Sequence, residues 1–101
     1  MSLVVTFSPR ALANLEKLVE WAGHYSAKAS TNLLALLAAL ADKVRNIEQQ
    51  PEMYPVSTHY PFLRRCVVTS AITLYYRIGR EAVEIVGIVD TRRDPDSLLL
   101  A

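Results

Sequence analysis

Apolar side chains recur every three or four positions in the first half of the chain and at alternate positions in the second half. Proline-bearing segments mark the changes of rhythm. Leu3-Val4-Val5-Thr6-Phe7 is β-branched and aromatic and predicts a first strand. Ser8-Pro9 ends that pattern. Ser8 suits a helix N-cap, and Pro9 suits the first helical position, where its missing N–H costs nothing. Leu12, Leu15, Leu18, Val19 and Ala22 follow at helical spacing, and Arg10, Asn14, Glu16, Lys17 and Glu20 are expected to face outward. Gly23 reads as the end of this helix. Ser26 then suits the cap of a longer helix expected to reach about Gln49, with its stripe at Leu33, Leu36, Leu37, Leu40, Val44 and Ile47. The short link between the two implies an antiparallel helical hairpin.

Pro51 disfavours helical geometry at Gln50 and stops the second helix. The segment from Pro51 to Pro61, with prolines at 51, 55 and 61, reads as an extended crossover. Three strand-like runs complete the pattern: Phe62 to Thr69, Ile72 to Ile78 and Ala82 to Val89. In the middle run Ile72, Leu74, Tyr76 and Ile78 share one face, while Thr73, Tyr75 and Arg77 share the other. Tight connections between the runs predict an antiparallel meander. The order β-α-α-β-β-β predicts an α+β fold, an antiparallel sheet with an α-helical hairpin packed on one face.

The size of the chain, 101 residues, predicts a single domain over 1–101. At 51% hydrophobic and 21% charged residues it has the material for a core and is not a disordered composition. Its longest wholly apolar run, Leu33 to Ala41, is nine residues. A bilayer crossing needs about 20, so neither a membrane span nor a secretory leader is expected. The lone Cys66 supports neither an intrachain disulfide nor a multi-thiolate metal site, and a reducing, cytoplasmic setting is expected.

The net charge of +1 is far from that of a domain gripping nucleic acid through phosphates. It conceals an asymmetry. All three lysines precede position 45, every later basic residue is arginine, and no acid lies between Glu52 and Glu81. Arg64, Arg65, Arg77 and Arg80 fall in that acid-free stretch. Arginine holds carboxylate and phosphate bidentately, so the second half reads as the anion-facing or partner-facing half. The competing reading is four arginines on solvated strands, each beside an acid across the sheet.

Several segments, taken in order, carry a resemblance. They are Phe7-Ser8-Pro9-Arg10-Ala11, Ile47-Glu48-Gln49-Gln50-Pro51, Phe62-Leu63-Arg64-Arg65, Leu74-Tyr75-Tyr76-Arg77-Ile78 and Val89-Asp90-Thr91-Arg92-Arg93-Asp94-Pro95. Together they resemble the RelE/ParE superfamily of toxin–antitoxin toxins over nearly the whole chain. The Arg-Arg-Asp-Pro close is more similar to the ParE and plasmid-stabilisation branch. The resemblance implies the toxin of a type II module, neutralised by a cognate antitoxin and acting on a protein target such as DNA gyrase, with no cofactor and no metal. The other branch implies a ribosome-dependent mRNA endonuclease. An inactive module that keeps only antitoxin binding is a third reading.

Metal-free RNA cleavage needs a base for the 2′-OH, an acid for the leaving oxygen and cations on the phosphate. Arg64, Arg77, Arg92 and Arg93 are the candidate cations, with Asp94 as the titratable group beside the last two. No Lys follows Lys43, no His follows His59 and no Tyr follows Tyr76. That scarcity weighs towards protein binding over RNA or ribosome binding. The candidate target- or antitoxin-binding residues are Trp21, Arg64, Arg77, Arg92 and Arg93. By strand alternation Arg65 points away from Arg64, so the two do not line one site. Tyr75 and Tyr76 are expected in the sheet, Cys66 as a small buried strand residue, and Ser8 as a cap rather than a nucleophile. His24 and His59 are read as turn and crossover residues. The high apolar content leaves room for an open groove that an antitoxin helix would cover, or for a homodimer.

Overall fold

Local signals place the helices and strands close to their predicted positions. The structure is a computed structural model that describes the backbone of residues 3–23 and 27–90 and the side chains of 3–20 and 33–90. The elements are β1 (Val4–Phe7), α1 (Pro9–Gly23), α2 (Ala27–Gln49), β2 (Arg64–Val67), β3 (Ile72–Ile78) and β4 (Ala82–Asp90). Ser8 caps α1 as expected, its Oγ accepting from the Ala11 N–H at 3.0 Å. β2 is shorter than the Phe62–Thr69 run. Before it, Leu63 donates to Tyr60 O and its carbonyl accepts from Ser57 N–H; after it, Thr69 folds the backbone into the turn.

The sheet order is β1-β4-β3-β2. The β2-β3-β4 meander is antiparallel as predicted, but β1 pairs parallel with β4, so the sheet is mixed rather than wholly antiparallel. The helices explain this. α2 ends beside the start of β1, where Leu3 N–H donates to Glu48 O at 3.1 Å. The chain therefore re-enters the sheet from the end at which β1 begins. β2 runs in the direction of β1, β3 runs back, and β4 again runs with β1.

The helix-facing side of the sheet holds the main core, with Cys66, Leu74, Tyr76, Val83 and Ile85 fully buried against Ala11, Leu40 and Ile47. Burying each large apolar side chain contributes about 1.5–3 kcal/mol. The α2 stripe serves this core, but the α1 stripe is wider than the sheet it covers, and Leu12 and Val19 stay about half exposed. The opposite face is not simply polar. Leu63, Tyr75 and Val89 form a second buried cluster there, with Tyr60 and Val86 packed against it. Strand alternation accounts for the two sides of β3. It does not foresee that the end of the crossover folds over the outer one.

Candidate functional site

The crossover between α2 and β2 forms a strap along the β2 edge of the sheet. Pro55 O accepts from Arg65 N–H at 2.9 Å, Ser57 N–H donates to Leu63 O at 2.8 Å, and Val56 bridges to Arg64. Side chains from the inner face tie down its first half. The Arg64 guanidinium donates to Tyr54 O at 2.7 Å and Glu52 O at 3.3 Å, and the Tyr76 hydroxyl donates to Pro51 O at 2.6 Å. Asn46, on α2, donates to the Tyr54 hydroxyl at 3.2 Å. Burial pushes the Tyr76 phenol up to about 12, with the nearby Arg64 charge opposing the shift. Burial likewise raises the Cys66 thiol, opposed by a hydrogen bond from Tyr54 and the Lys43 charge, and Cys66 is a fully buried core residue. The start of the strap, from Gln50 to Met53, lines an open hollow of about 470 Å³ together with Leu3 and Ile78.

Arg77 lies elsewhere. It is on the outer face, in register with Glu84 of β4, and the two form an ion pair at 2.7 Å. The sequence reading grouped Arg64 and Arg77 in one anion site, and the structure does not bring them together. Arg64 shares the inner face with Cys66 and Tyr76, whereas Arg77 shares the outer face with Tyr75. Side chains on opposite faces of a sheet cannot meet through it. Both guanidiniums have intramolecular partners, Arg64 in main-chain carbonyls and Arg77 in a carboxylate.

Arg92, Arg93 and Asp94 lie outside the described residues, as do His24 and the side chain of Trp21. His59 is exposed, its ring edge-on to Tyr60 at 5.4 Å. Arg65 is exposed on the outer face, opposite Tyr75 in the β2–β3 register. Among the described residues no group of three His, Cys, Asp or Glu side chains is placed to hold a metal ion, and no helix is long and apolar enough to cross a membrane.

Two polar anchors were not apparent from the sequence. Asn14 is half-buried rather than outward-facing, and its Oδ1 accepts from Ile88 N–H at 3.0 Å. Ser8 N–H donates to Ile85 O, and its hydroxyl donates to Val86 O at 2.9 Å. β1 stops at Phe7 while β4 runs on to Asp90, and α1 takes over the unpaired length of β4 next to a register shift at Tyr75/Tyr76. One signal was available: Asn14 lies three positions after Ala11 and one before Leu15, at the margin of the buried stripe.

A family model of the ParE toxin of type II toxin–antitoxin systems (parDE) matches residues 5–95. The chain belongs to the ParE toxin family. Solved structures agree with the ParE fold. A chain of the chromosomal ParDE toxin–antitoxin system from P. aeruginosa superposes with a TM-score of 0.70 at 14% identity, covering 88% of this chain and 96% of that one. The YoeB/ParE toxin from Agrobacterium tumefaciens gives 0.61 at 12%, covering 87% and 98%. The YoeB dimer from Staphylococcus aureus gives 0.62 at 12%, covering 88% and 97%. At such identities the likeness establishes the RelE/ParE-like fold of this ParE family member and nothing about its residues. No curated protein matches the chain.

Proposed function

We propose that this ParE family member is the toxin of a type II module that works in the cytoplasm, binds a protein target, DNA gyrase in the first instance, and is neutralised by a cognate antitoxin. The observation that supports binding over RNA cleavage is the separation of Arg64 from Arg77. Phosphoryl transfer needs converging cations and an acid–base pair around one phosphate. Here one guanidinium is bound to the strap on the inner face and the other is paired with Glu84 on the outer face. Tyr76, the phenol beside Arg64, donates to a carbonyl and holds its proton up to about pH 12. Trp21, Arg77, Arg92 and Arg93 remain the proposed contacts to target or antitoxin, with Arg64 held by the strap, and the neighbouring reading frame is expected to encode a short, acidic antitoxin.

Controlled expression in a bacterial host tests this reading. Growth arrest with filamentation and an SOS response supports a gyrase target. Rapid translation arrest with cut mRNA rejects it in favour of an endonuclease, and absence of toxicity leaves an antitoxin-binding module. Neutral substitutions at Arg92 and Arg93 are expected to weaken toxicity more than substitutions at His24 or His59.

A further inference from the structure

Of the adjacent arginines on β2, the structure leaves Arg65 open to solvent. Arg64 is consumed by the strap, yet its neighbour Arg65 is exposed on the outer face, and among the described residues its guanidinium has no ion pair or hydrogen bond. Its surroundings are apolar and aromatic. Tyr75 lies opposite Arg65 in the register, the Tyr75 ring meets Tyr60 edge-on at 5.8 Å, and Tyr60 meets Phe62 at 6.4 Å. Phe62 is 61% exposed, and Val67, two residues along β2 on the same face as Arg65, is 47% exposed. Tyrosines backed by a buried cluster, with an arginine beside them, are the composition of an interface hot spot, and Phe62 and Val67 add exposed apolar area next to it. The charge is one-sided. No acid occurs from position 53 to 80, and Glu84, on the outer face, is already tied to Arg77.

We infer that the Phe62–Arg65–Val67 patch docks an acidic peptide segment of a protein partner, a carboxylate meeting Arg65 and separate apolar side chains covering Phe62 and Val67. Arginine offers a bidentate carboxylate contact, and the exposed aromatic ring supplies apolar area at little entropic cost. The inference deepens the target-binding reading and rests on it, by giving the chemistry of one bound segment.

Two fluorescent peptides with the same Leu-Phe-Leu centre, one flanked by glutamates and one by lysines, test it by anisotropy against the full chain. The glutamate-flanked peptide is expected to bind about tenfold tighter at low salt, with the advantage shrinking as salt rises. Arg65→Glu reverses the order, and Phe62→Ser weakens both peptides. Lys17→Glu, an exposed position of α1, leaves both unchanged. Thermal melts of the variants confirm that they remain folded, since all these side chains are exposed. Equal binding of the two peptides overturns the proposal. So does indifference to Arg65→Glu, or a single-stranded RNA oligonucleotide competing for the patch more strongly than the peptide. Growth arrest without peptide binding refutes this patch alone, whereas peptide binding without growth arrest refutes the toxin reading alone.

Discussion

Arg64 and Tyr76 stand opposite each other in the β2–β3 register and hold three carbonyls of one strap, Tyr76 at Pro51 and Arg64 at Glu52 and Tyr54. The pair fixes the path of the chain from α2 to the far edge of the sheet. A residue read as an anion contact is thereby a structural clamp.

Arg64→Ala is expected to destabilise the fold by about 1–2 kcal/mol, since two hydrogen bonds from a charged donor are lost, the one to the Tyr54 carbonyl partly buried. For a domain of this size each kcal/mol lowers Tm by about 4–8 °C. Arg64→Lys, able to reach one carbonyl, is expected to fall between. Thermal melts check the order, and a drop in toxicity that tracks Tm is the signature of the clamp.

Tyr76 predicts an alkaline limit to stability. Its phenol titrates near 12 in the folded chain, against about 10 when unfolded, so the native state holds the proton more tightly. Stability from this group is complete below about pH 10 and is lost as pH rises towards 12. Urea titrations across that range are expected to show a steeper decline for the native chain than for Tyr76→Phe. Near-ultraviolet absorbance is expected to show a late phenolate among the five tyrosines, absent in the variant.

Asn14→Leu leaves the Ile88 N–H without its acceptor and is expected to cost about 1–3 kcal/mol. Asn14→Asp keeps an acceptor oxygen and is expected to lose less. Amide hydrogen exchange at Ile88 separates a broken anchor from general destabilisation, because the leucine variant speeds exchange there first.

A Cβ at Gly79 would stand 2.9 Å from the Ala82 carbonyl, across the turn that joins β3 to β4. That backbone atom cannot move aside without opening the Gly79 N–H bond to the same oxygen. Gly79→Ala is expected to destabilise by about 1–3 kcal/mol, as overpacking does, read as a lowered urea midpoint.

Arg77→Gln removes an exposed ion pair with Glu84 and is expected to change stability by less than about 1 kcal/mol, an effect that shrinks in high salt. Loss of toxicity in this variant at unchanged Tm would place Arg77 in a partner contact.

Much of the architecture was legible in the sequence because its causes are local. Ser8 and Pro9 start a helix from within one turn, Pro51 stops one, and the alternation at Ile72–Ile78 declares a strand without reference to the rest of the molecule. The site was less legible. Arg64 and Arg65 are adjacent and chemically identical, and nothing nearby in the chain says which is spent. The choice is made by carbonyls of the strap at Glu52 and Tyr54, which come into reach only once the strap lies along β2. Asn14 reads as a polar surface residue until β4 arrives beside α1 from 74 positions away.

By itself, then, the sequence determined the order of elements, the Ser8 cap of α1 and the two faces of β3, which follow from short-range sterics and periodicity, and its motifs carried the resemblance that the family model bears out. Tertiary structure alone decided that β1 runs parallel to β4, that the outer face carries its own aromatic cluster, and that Arg64 is bound while Arg65 is exposed. Those outcomes depend on which donors and acceptors meet after the chain has closed on itself. A hydrogen bond spans about 3 Å in space whatever the distance along the sequence.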